Sequence, residues 1–242
     1  MSAPAPELSV LLPAFNEAES LPVVWSELGP VLDALGRSAE VIFVDDGSAD
    51  ATPEIVRGIR AVDARVRLVR LAANAGLSAA LDAGFQRARG RIIVTLDSDL
   101  QNDPRDIPRM LASLEGYDAV TGWRQQRDDP WLKRVSSRVA NRIRNAITRE
   151  QVHDSACTLR VIRSGCLPSL PRFRGFHRFV PTLLRLAGYR VLELPVGHRA
   201  RRYGVSHYGI RNRAYDVTYR RGGVPPSFTA TASCRFYSFR RG

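Results

Sequence analysis

The chain has 242 residues, of which 44% are hydrophobic and 25% charged, and its formal net charge is +12. This composition indicates a soluble protein of one or two domains with a sizeable core, and it excludes a disordered or collagenous chain. Three cysteines without a CxxC pair argue against a disulfide framework or a zinc finger. The chain has no secretory signal and no apolar run of about 20 residues. Together with the unpaired cysteines, these features predict a cytoplasmic protein that does not span a membrane.

The first half of the chain alternates strand and helix patterns. Strands are predicted over residues 8–12, 40–44, 66–71 and 91–96, and helices over residues 16–35, 52–61 and 78–88. Gly29-Pro30 is expected to break or kink the first helix. Alternating strands and helices predict an α/β fold, with a Rossmann-like, mainly parallel central sheet flanked by helices.

Polar clusters follow the predicted strands. They are Asn16/Glu17, Asp45/Asp46, Asn74 and Asp97/Asp99. Ligands of parallel sheets bind beyond the carboxyl ends of the strands, so we expect the four clusters to meet at one edge. Asp46 there suits a carboxylate that holds a ribose or base. A tight turn explains the run from Asp45 to Ser48 as an alternative, and it explains Asn74 and Gly76 equally well.

The second half is predicted to contain helices over residues 104–114 and 179–187 and strands over 118–122 and 190–195. Between them, residues 131–148 have apolar side chains at helical spacing and an arginine stripe of Arg134, Arg138 and Arg142 on another face. Such a basic amphipathic helix suits either a membrane interface or the surface of its own domain. The tail after residue 210 is expected to be loosely ordered.

Charge divides sharply along the chain. Residues 1–123 carry 11 arginines and 18 acidic residues, whereas residues 124–242 carry 25 basic and 6 acidic residues. This division predicts an acidic half that holds a metal or performs catalysis, and a basic half that faces nucleic acid, phospholipid or a phosphorylated substrate. The chain has no nucleic-acid-binding motif and its acidic edge would repel a phosphate backbone, so we expect no nucleic acid partner.

Asp97, Asp99 and Gln101 are alternate residues after an apolar strand. Alternate side chains of extended backbone point the same way, so their oxygens can face one position. Two carboxylates and an amide oxygen are hard ligands that suit Mg²⁺ or Mn²⁺. Capping or loop aspartates are the usual explanation of an isolated DxD pair, but the other clusters at the same edge favour a metal site.

These residues form a recognisable set. The motifs are Pro13-Ala-Phe-Asn-Glu17, Val44-Asp-Asp-Gly-Ser48 with Asp50 and Thr52, Asn74-x-Gly76 and Asp97-Ser-Asp-Leu-Gln101. Together they resemble the inverting family 2 glycosyltransferases of the GT-A fold. Three further motifs are Gly122-Trp-Arg124, Phe176-His-Arg-Phe179 and His198-Arg-Ala-Arg201 continuing through Gly204-x-Ser206-x-Tyr208. They narrow the resemblance to polyprenyl-phosphate glycosyltransferases, which include dolichol-phosphate mannose synthases.

The resemblance implies a GT-A domain over residues 1–210, with a nucleotide-sugar half (1–123), a basic, helical, acceptor- and membrane-facing half (124–210) and an atypical tail (211–242). By that resemblance the nucleotide pocket is lined by Pro13, Phe15, Glu17, Val44 and Asp46. Asp97, Ser98 and Asp99 hold the diphosphate, and the metal ligands are Asp97, Asp99 and Gln101. Arg124 and Arg201 contact phosphates, Arg138 reaches the acceptor phosphate, and Asp99 and Arg124 are the catalytic pair. His207, where the family usually has Lys or Asn, contacts the nucleotide sugar.

The implied reaction is an inverting transfer of a hexose from a nucleotide sugar of the GDP-mannose or UDP-glucose type to a polyprenyl phosphate. It uses Mg²⁺ or Mn²⁺ and takes place peripherally at the cytoplasmic membrane face, with a membrane protein or a second copy as a further partner. The alternative is transfer to a saccharide hydroxyl, which requires a general base, and Asp154 is the candidate.

Overall fold

A seven-stranded sheet lies at the centre of the computed structural model, which describes residues 4–124, 153–154 and 157–200. The strands are β1 (Leu8–Ala14), β2 (Ala39–Asp45), β3 (Val66–Arg70), β4 (Ile92–Thr95), β5 (Ala119–Arg124), β6 (Arg160–Arg163) and β7 (Val191–Val196). Their order is β3-β2-β1-β4-β6-β5-β7. Strand β6 runs antiparallel to β4 and β5, and the other four pairings are parallel. The expected α/β fold with a mainly parallel sheet is confirmed.

Helices cover both faces of the sheet. They are α1 (Leu21–Leu35), α2 (Thr52–Val62), α3 (Leu77–Arg87), α4 (Ile107–Ala112) and α5 (Val180–Leu186). Leu8, Val10 and Leu12 of β1 pack with α1, α2 and α4, whereas Leu11 packs on the other side with α3 and α5. Burial on both faces explains why the parallel strands are continuous apolar runs in the sequence.

The prediction for the first helix is wrong at two points. Helix α1 begins at Leu21 rather than Asn16, because Asn16 adopts a left-handed backbone (φ 55°) and bonds to a neighbouring loop. The helix also continues through Pro30, so the predicted break is wrong, whereas a kink at that point stays a prediction. Pro30 lacks the N–H that would reach the carbonyl of Ser26; both residues are exposed, so water can satisfy that carbonyl.

Two further differences concern the second half. Residues 104–114 form a 3₁₀ turn at Pro104–Asp106 followed by the short α4, rather than one helix. Strand β6 was not predicted, since four residues with an arginine at each end give no clear strand pattern. The predicted helix over residues 131–148 and the tail 211–242 lie outside the described residues. No helix in the described part of the chain has the length and apolar character to cross a membrane.

Candidate active site

The loop after β1 is bonded to the loop after β2 at the carboxyl edge of the sheet. The Asn16 N–H donates to Ser48 Oγ at 2.8 Å, and the Ala49 N–H donates to Asn16 Oδ1 at 2.9 Å. The Glu17 N–H donates to Thr52 Oγ1 at 2.9 Å. The polar side chains of the DDGSxDxT segment therefore shape the first loop of the site.

Asp46 connects the loop after β2 to the loop after β3. Its two carboxylate oxygens accept the backbone N–H groups of Ala75 and Gly76, both at 2.8 Å. Burial raises the pKa of Asp46, although these two bonds oppose that effect. Next to it, Gly47 has φ 74°, and a Cβ there would lie 2.6 Å from the carbonyl carbon of Ala73. Close packing of the two loops thus requires glycine at this turn.

The predicted nucleotide-pocket residues lie together at this edge. Pro13 of β1 pairs in register with Val44 of β2. Val44 is fully buried in the core, so its side chain packs beneath the edge rather than facing it. Phe15 is partly exposed, and Glu17 Oε2 accepts a bond from Ser20 Oγ at 2.6 Å. Their contact with a nucleotide remains a prediction.

The loop after β4 carries the predicted metal ligands. The Ser98 hydroxyl donates to the Pro13 carbonyl at 2.8 Å, which ties this loop to β1. Leu100 is buried with φ 64°, an uncommon conformation for a non-glycine residue, and it turns the chain between Asp99 and Gln101. The Gln101 N–H donates to Asp99 Oδ1 at 3.1 Å.

Asp97 and Asp99 lie close enough to repel each other. Burial raises the pKa of Asp97 to about 6, and the charge of Asp99 adds to the rise. A cation between the two carboxylates would relieve that repulsion, so the residues present fit a divalent metal. No group of three His, Cys, Asp or Glu side chains suited to a metal occurs in the described ranges. Two carboxylates and an amide match Mg²⁺ sites that take their remaining ligands from water and substrate phosphates.

Arg124, the predicted phosphate ligand, forms a buried bidentate pair with Asp154. Arg124 Nε donates to Asp154 Oδ2 at 2.6 Å, and Nη2 donates to Oδ1 at 3.0 Å. Burial by itself would lower the pKa of Arg124, but the bond and charge of Asp154 outweigh it and raise the pKa. Glu193 holds the residue next to Asp154, because its Oε1 accepts the His153 N–H at 3.0 Å. The candidate base of the alternative reaction is therefore bound to the candidate phosphate ligand.

Sequence analysis missed several side chains around these acids. Arg160 of β6 is 2% exposed, adds to the charge around Asp97, and donates through Nη2 to the His177 carbonyl at 2.9 Å. His177 Nδ1 lies 2.8 Å from Ser78 Oγ, and burial lowers the pKa of His177 to about 3. Thr158 bonds directly to Asp97. The Phe176–Phe179 motif was the one sequence signal near these side chains, and it did not indicate which residue bonds to His177.

Three predicted site residues cannot be placed on this geometry. Arg138, Arg201 and His207 lie outside the described residues, so their roles remain predictions. His198 and Arg199 lead toward that segment: the Arg199 N–H donates to the Gln101 carbonyl at 2.9 Å, and Asn102 forms a bridge with His198. His198 and Arg199 therefore lie beside the loop that carries the predicted metal ligands.

A family model described as "Glycosyl transferase family 2" matches residues 9–168, which include all of the loops above. The chain belongs to glycosyltransferase family 2. Two curated relatives are named undecaprenyl-phosphate 4-deoxy-4-formamido-L-arabinose transferase. The protein of Aeromonas hydrophila is 37% identical and that of Edwardsiella ictaluri 36% identical, each over 87% of this chain. The chain spans about 66% of the length of each relative.

Solved structures of one enzyme resemble the fold of this chain. Glucosyl-3-phosphoglycerate synthase from Mycobacterium tuberculosis, in complex with Mn²⁺, UDP and phosphoglyceric acid, is 25% identical with a TM-score of 0.68, over 92% of this chain and 80% of that one. Its complex with Mn²⁺ and UDP-glucose gives 25% identity and a TM-score of 0.68, over 92% of this chain and 81% of that one. The predicted GT-A fold and the predicted family are confirmed.

Proposed function

We propose that this chain transfers a hexose from a nucleotide sugar to a polyprenyl phosphate, with inversion at the anomeric carbon and with Mg²⁺ or Mn²⁺. The observation that carries the proposal is the pair of mutually repelling carboxylates, Asp97 and Asp99, at the carboxyl edge of the sheet. Family membership supports the transfer, and the undecaprenyl phosphate in the names of the two curated relatives supports the acceptor class.

The carboxylates and the loops around them serve the donor. Displacement of a nucleoside diphosphate builds negative charge on the leaving group, and a divalent ion held by Asp97, Asp99 and Gln101 supplies charge neutralisation there. The loops joined by Asn16, Asp46 and Ser98 preorganise the edge at which the nucleotide would bind. Because these loops are hydrogen-bonded to one another, the binding of a nucleotide would have little further backbone to order.

Arg124 and the basic second half serve the acceptor. A polyprenyl phosphate carries its nucleophilic oxygen as an anion at neutral pH, so no general base is obligatory. The difficulty is to bring two anions together, and arginine addresses it by neutralising and orienting phosphate oxygens. The Arg124 side chain is only 12% exposed and is held in one direction by Asp154, which suits an orienting role. Arg138 and Arg201 are the further candidates.

The arrangement of Asp154 weighs against a saccharide hydroxyl as acceptor. Such a reaction needs a base that can take up a proton, and Asp154 was the candidate. Both of its oxygens accept bonds from the permanently charged Arg124 guanidinium. That contact stabilises the carboxylate and obstructs its approach to a hydroxyl, so the phosphate acceptor is the better match.

The proposal includes a place of action and partners. A polyprenyl chain is confined to a bilayer, so the enzyme would act peripherally at the cytoplasmic membrane face, with the basic segment of residues 131–148 against anionic lipid. A membrane protein or a second copy of the chain would help to hold it there.

The test is radiolabelled transfer by the full chain in detergent with Mn²⁺. Donors are GDP-mannose, UDP-glucose and a UDP-linked 4-deoxy-4-formamido-L-arabinose, and acceptors are undecaprenyl phosphate and a soluble oligosaccharide. We expect labelled lipid from GDP-mannose or UDP-glucose, loss of transfer with EDTA and with Asp99→Asn, and a product of inverted anomeric configuration. Lipid labelled only from the arabinose derivative, a pentose, would refute the hexose. Label that enters only the oligosaccharide would refute the acceptor, and full transfer in EDTA would refute the metal.

A further inference from the structure

A chain of side-chain hydrogen bonds leads from Asn102 through Thr158 to Asp97. Asn102 Nδ2 donates to Thr158 Oγ1 at 3.1 Å, and Thr158 Oγ1 donates to Asp97 Oδ2. Asn102 is 5% exposed and its backbone pairs with His198, so the first donor of the chain has a fixed position. None of the motifs in the sequence includes Thr158.

The direction of these side-chain hydrogen bonds follows from the single proton of the Thr158 hydroxyl. A hydroxyl has one proton to donate, and it can accept bonds at the same time. Because the Asn102 amide donates to the Thr158 oxygen, the threonine proton is left for Asp97. The Thr158 carbonyl also accepts a bond from Thr95 Oγ1, at the end of the strand from which Asp97 emerges. The backbone of Thr158 is thereby held to the strand that leads to Asp97, and the Asn102 amide holds the Thr158 hydroxyl.

We propose that Thr158 is a positioning residue that fixes the carboxylate of Asp97 for the divalent cation. This inference rests on the metal site of the proposed function. A carboxylate beside another carboxylate tends to rotate away from it in the absence of a cation. A donor on Oδ2 holds Asp97 in one orientation and leaves Oδ1 to meet the metal. Groups that orient metal ligands in this way typically contribute tenfold to a hundredfold to metal affinity.

The experiment measures Mn²⁺ affinity directly, by electron paramagnetic resonance of free Mn²⁺ in a titration of the full chain without substrate. Thr158→Val removes the hydroxyl and keeps the shape, and Thr158→Ser keeps the hydroxyl. Thr121→Val is the matched control, because Thr121 is 1% exposed on the neighbouring β5 and its hydroxyl has no hydrogen-bond partner within the described ranges.

We expect Thr158→Val to raise the Mn²⁺ Kd by about tenfold, and Thr158→Ser and Thr121→Val to stay within about twofold of the unaltered chain. Should the valine variant fail to fold by circular dichroism, Thr158→Ala removes the same hydroxyl and is expected to give the same rise. An unchanged Kd in a folded Thr158 variant that lacks the hydroxyl, or an equal rise in Thr121→Val, would overturn the inference and leave the metal site in place. An unaltered chain that binds no Mn²⁺ would refute the metal site and the inference together.

Discussion

Acidification should destabilise this protein through one buried histidine, His177. Its ring nitrogen Nδ1 lies 2.8 Å from Ser78 Oγ, which already accepts the Gly175 N–H at 2.8 Å. The serine hydroxyl keeps its own proton to donate, and a neutral His177 with its proton on Nε2 can accept that proton at Nδ1. Burial is the main cause that lowers the pKa of His177 to about 3, and the charges of Arg178 and Arg160 lower it further.

The size of this destabilisation follows from the difference between the pKa of His177 in the folded state and in the unfolded state. Unfolded His177 takes up a proton below pH 6.5, its ordinary pKa, whereas the folded state excludes that proton until about pH 3. The contribution of His177 to the free energy of unfolding is fully present above pH 6.5. It falls by about 1.4 kcal/mol for each pH unit below that value. Between pH 7.5 and pH 5 the free energy of unfolding should therefore fall by about 2 kcal/mol through His177.

Urea unfolding at pH 7.5 and at pH 5 measures this loss. His177→Asn keeps an acceptor near the position of Nδ1 and cannot titrate, so its free energy of unfolding should fall by about 2 kcal/mol less than that of the unaltered chain. Carboxylates contribute equally to both proteins, and the comparison removes them. His153→Asn is the matched control, because His153 is exposed and its replacement leaves His177 in place.

Equal losses in the unaltered chain and in His177→Asn would refute the reasoning. That result would mean that the buried histidine is protonated in the folded protein, with Ser78 turned to accept from it. A smaller fall in the free energy of unfolding in His153→Asn than in the unaltered chain would likewise show that His177 is not the cause.

Three further predictions concern the site and its loops. Asp99→Asn should raise the Mn²⁺ Kd at least about tenfold in the same resonance titration, because it removes one of two carboxylates. Arg124→Leu should lower the free energy of urea unfolding by about 3–5 kcal/mol, since it removes the guanidinium that pairs with the buried carboxylate of Asp154. Gly47→Ala should cost at least about 2 kcal/mol in the same assay, because φ is 74° and the new methyl group would contact Ala73.

Each of these has a result that would contradict it. Unchanged Mn²⁺ affinity in Asp99→Asn would remove that carboxylate from the metal site. For the ion pair, the double variant Arg124→Leu with Asp154→Leu should lose less than the sum of the single losses, and additive losses would deny the coupling. For the turn, Gly58→Ala is the control: Gly58 lies in α2 with nothing near a new Cβ, so a loss there as large as at Gly47 would exclude the clash as the cause.

The family and the loops at the carboxyl edge of the sheet were predictable because they depend on local patterns. Apolar runs buried on both faces marked the parallel strands, and polar residues directly after them marked the carboxyl edge. Residue type and spacing indicated the chemistry of the Asp97–Gln101 segment, since two carboxylates and an amide follow an apolar strand. The extended backbone expected there was wrong, because Leu100 turns the chain with φ 64°. Where local rules compete, prediction failed: Asn16 looked like the start of a helix, but it takes a left-handed turn whose bonds come from Ser48 and Ala49.

The amino-acid sequence by itself determined the alternation of strands and helices in the first half of the chain, the acidic edge and the resemblance to a sugar-transferring family. Only the tertiary structure decided which distant side chains meet there. Asp154 pairs with Arg124 across 30 residues, Thr158 reaches Asp97 across 61, and His177 reaches Ser78 across 99. The physical reason is that periodicity reports local backbone preference and burial, whereas these contacts depend on β6 entering the sheet antiparallel between β4 and β5.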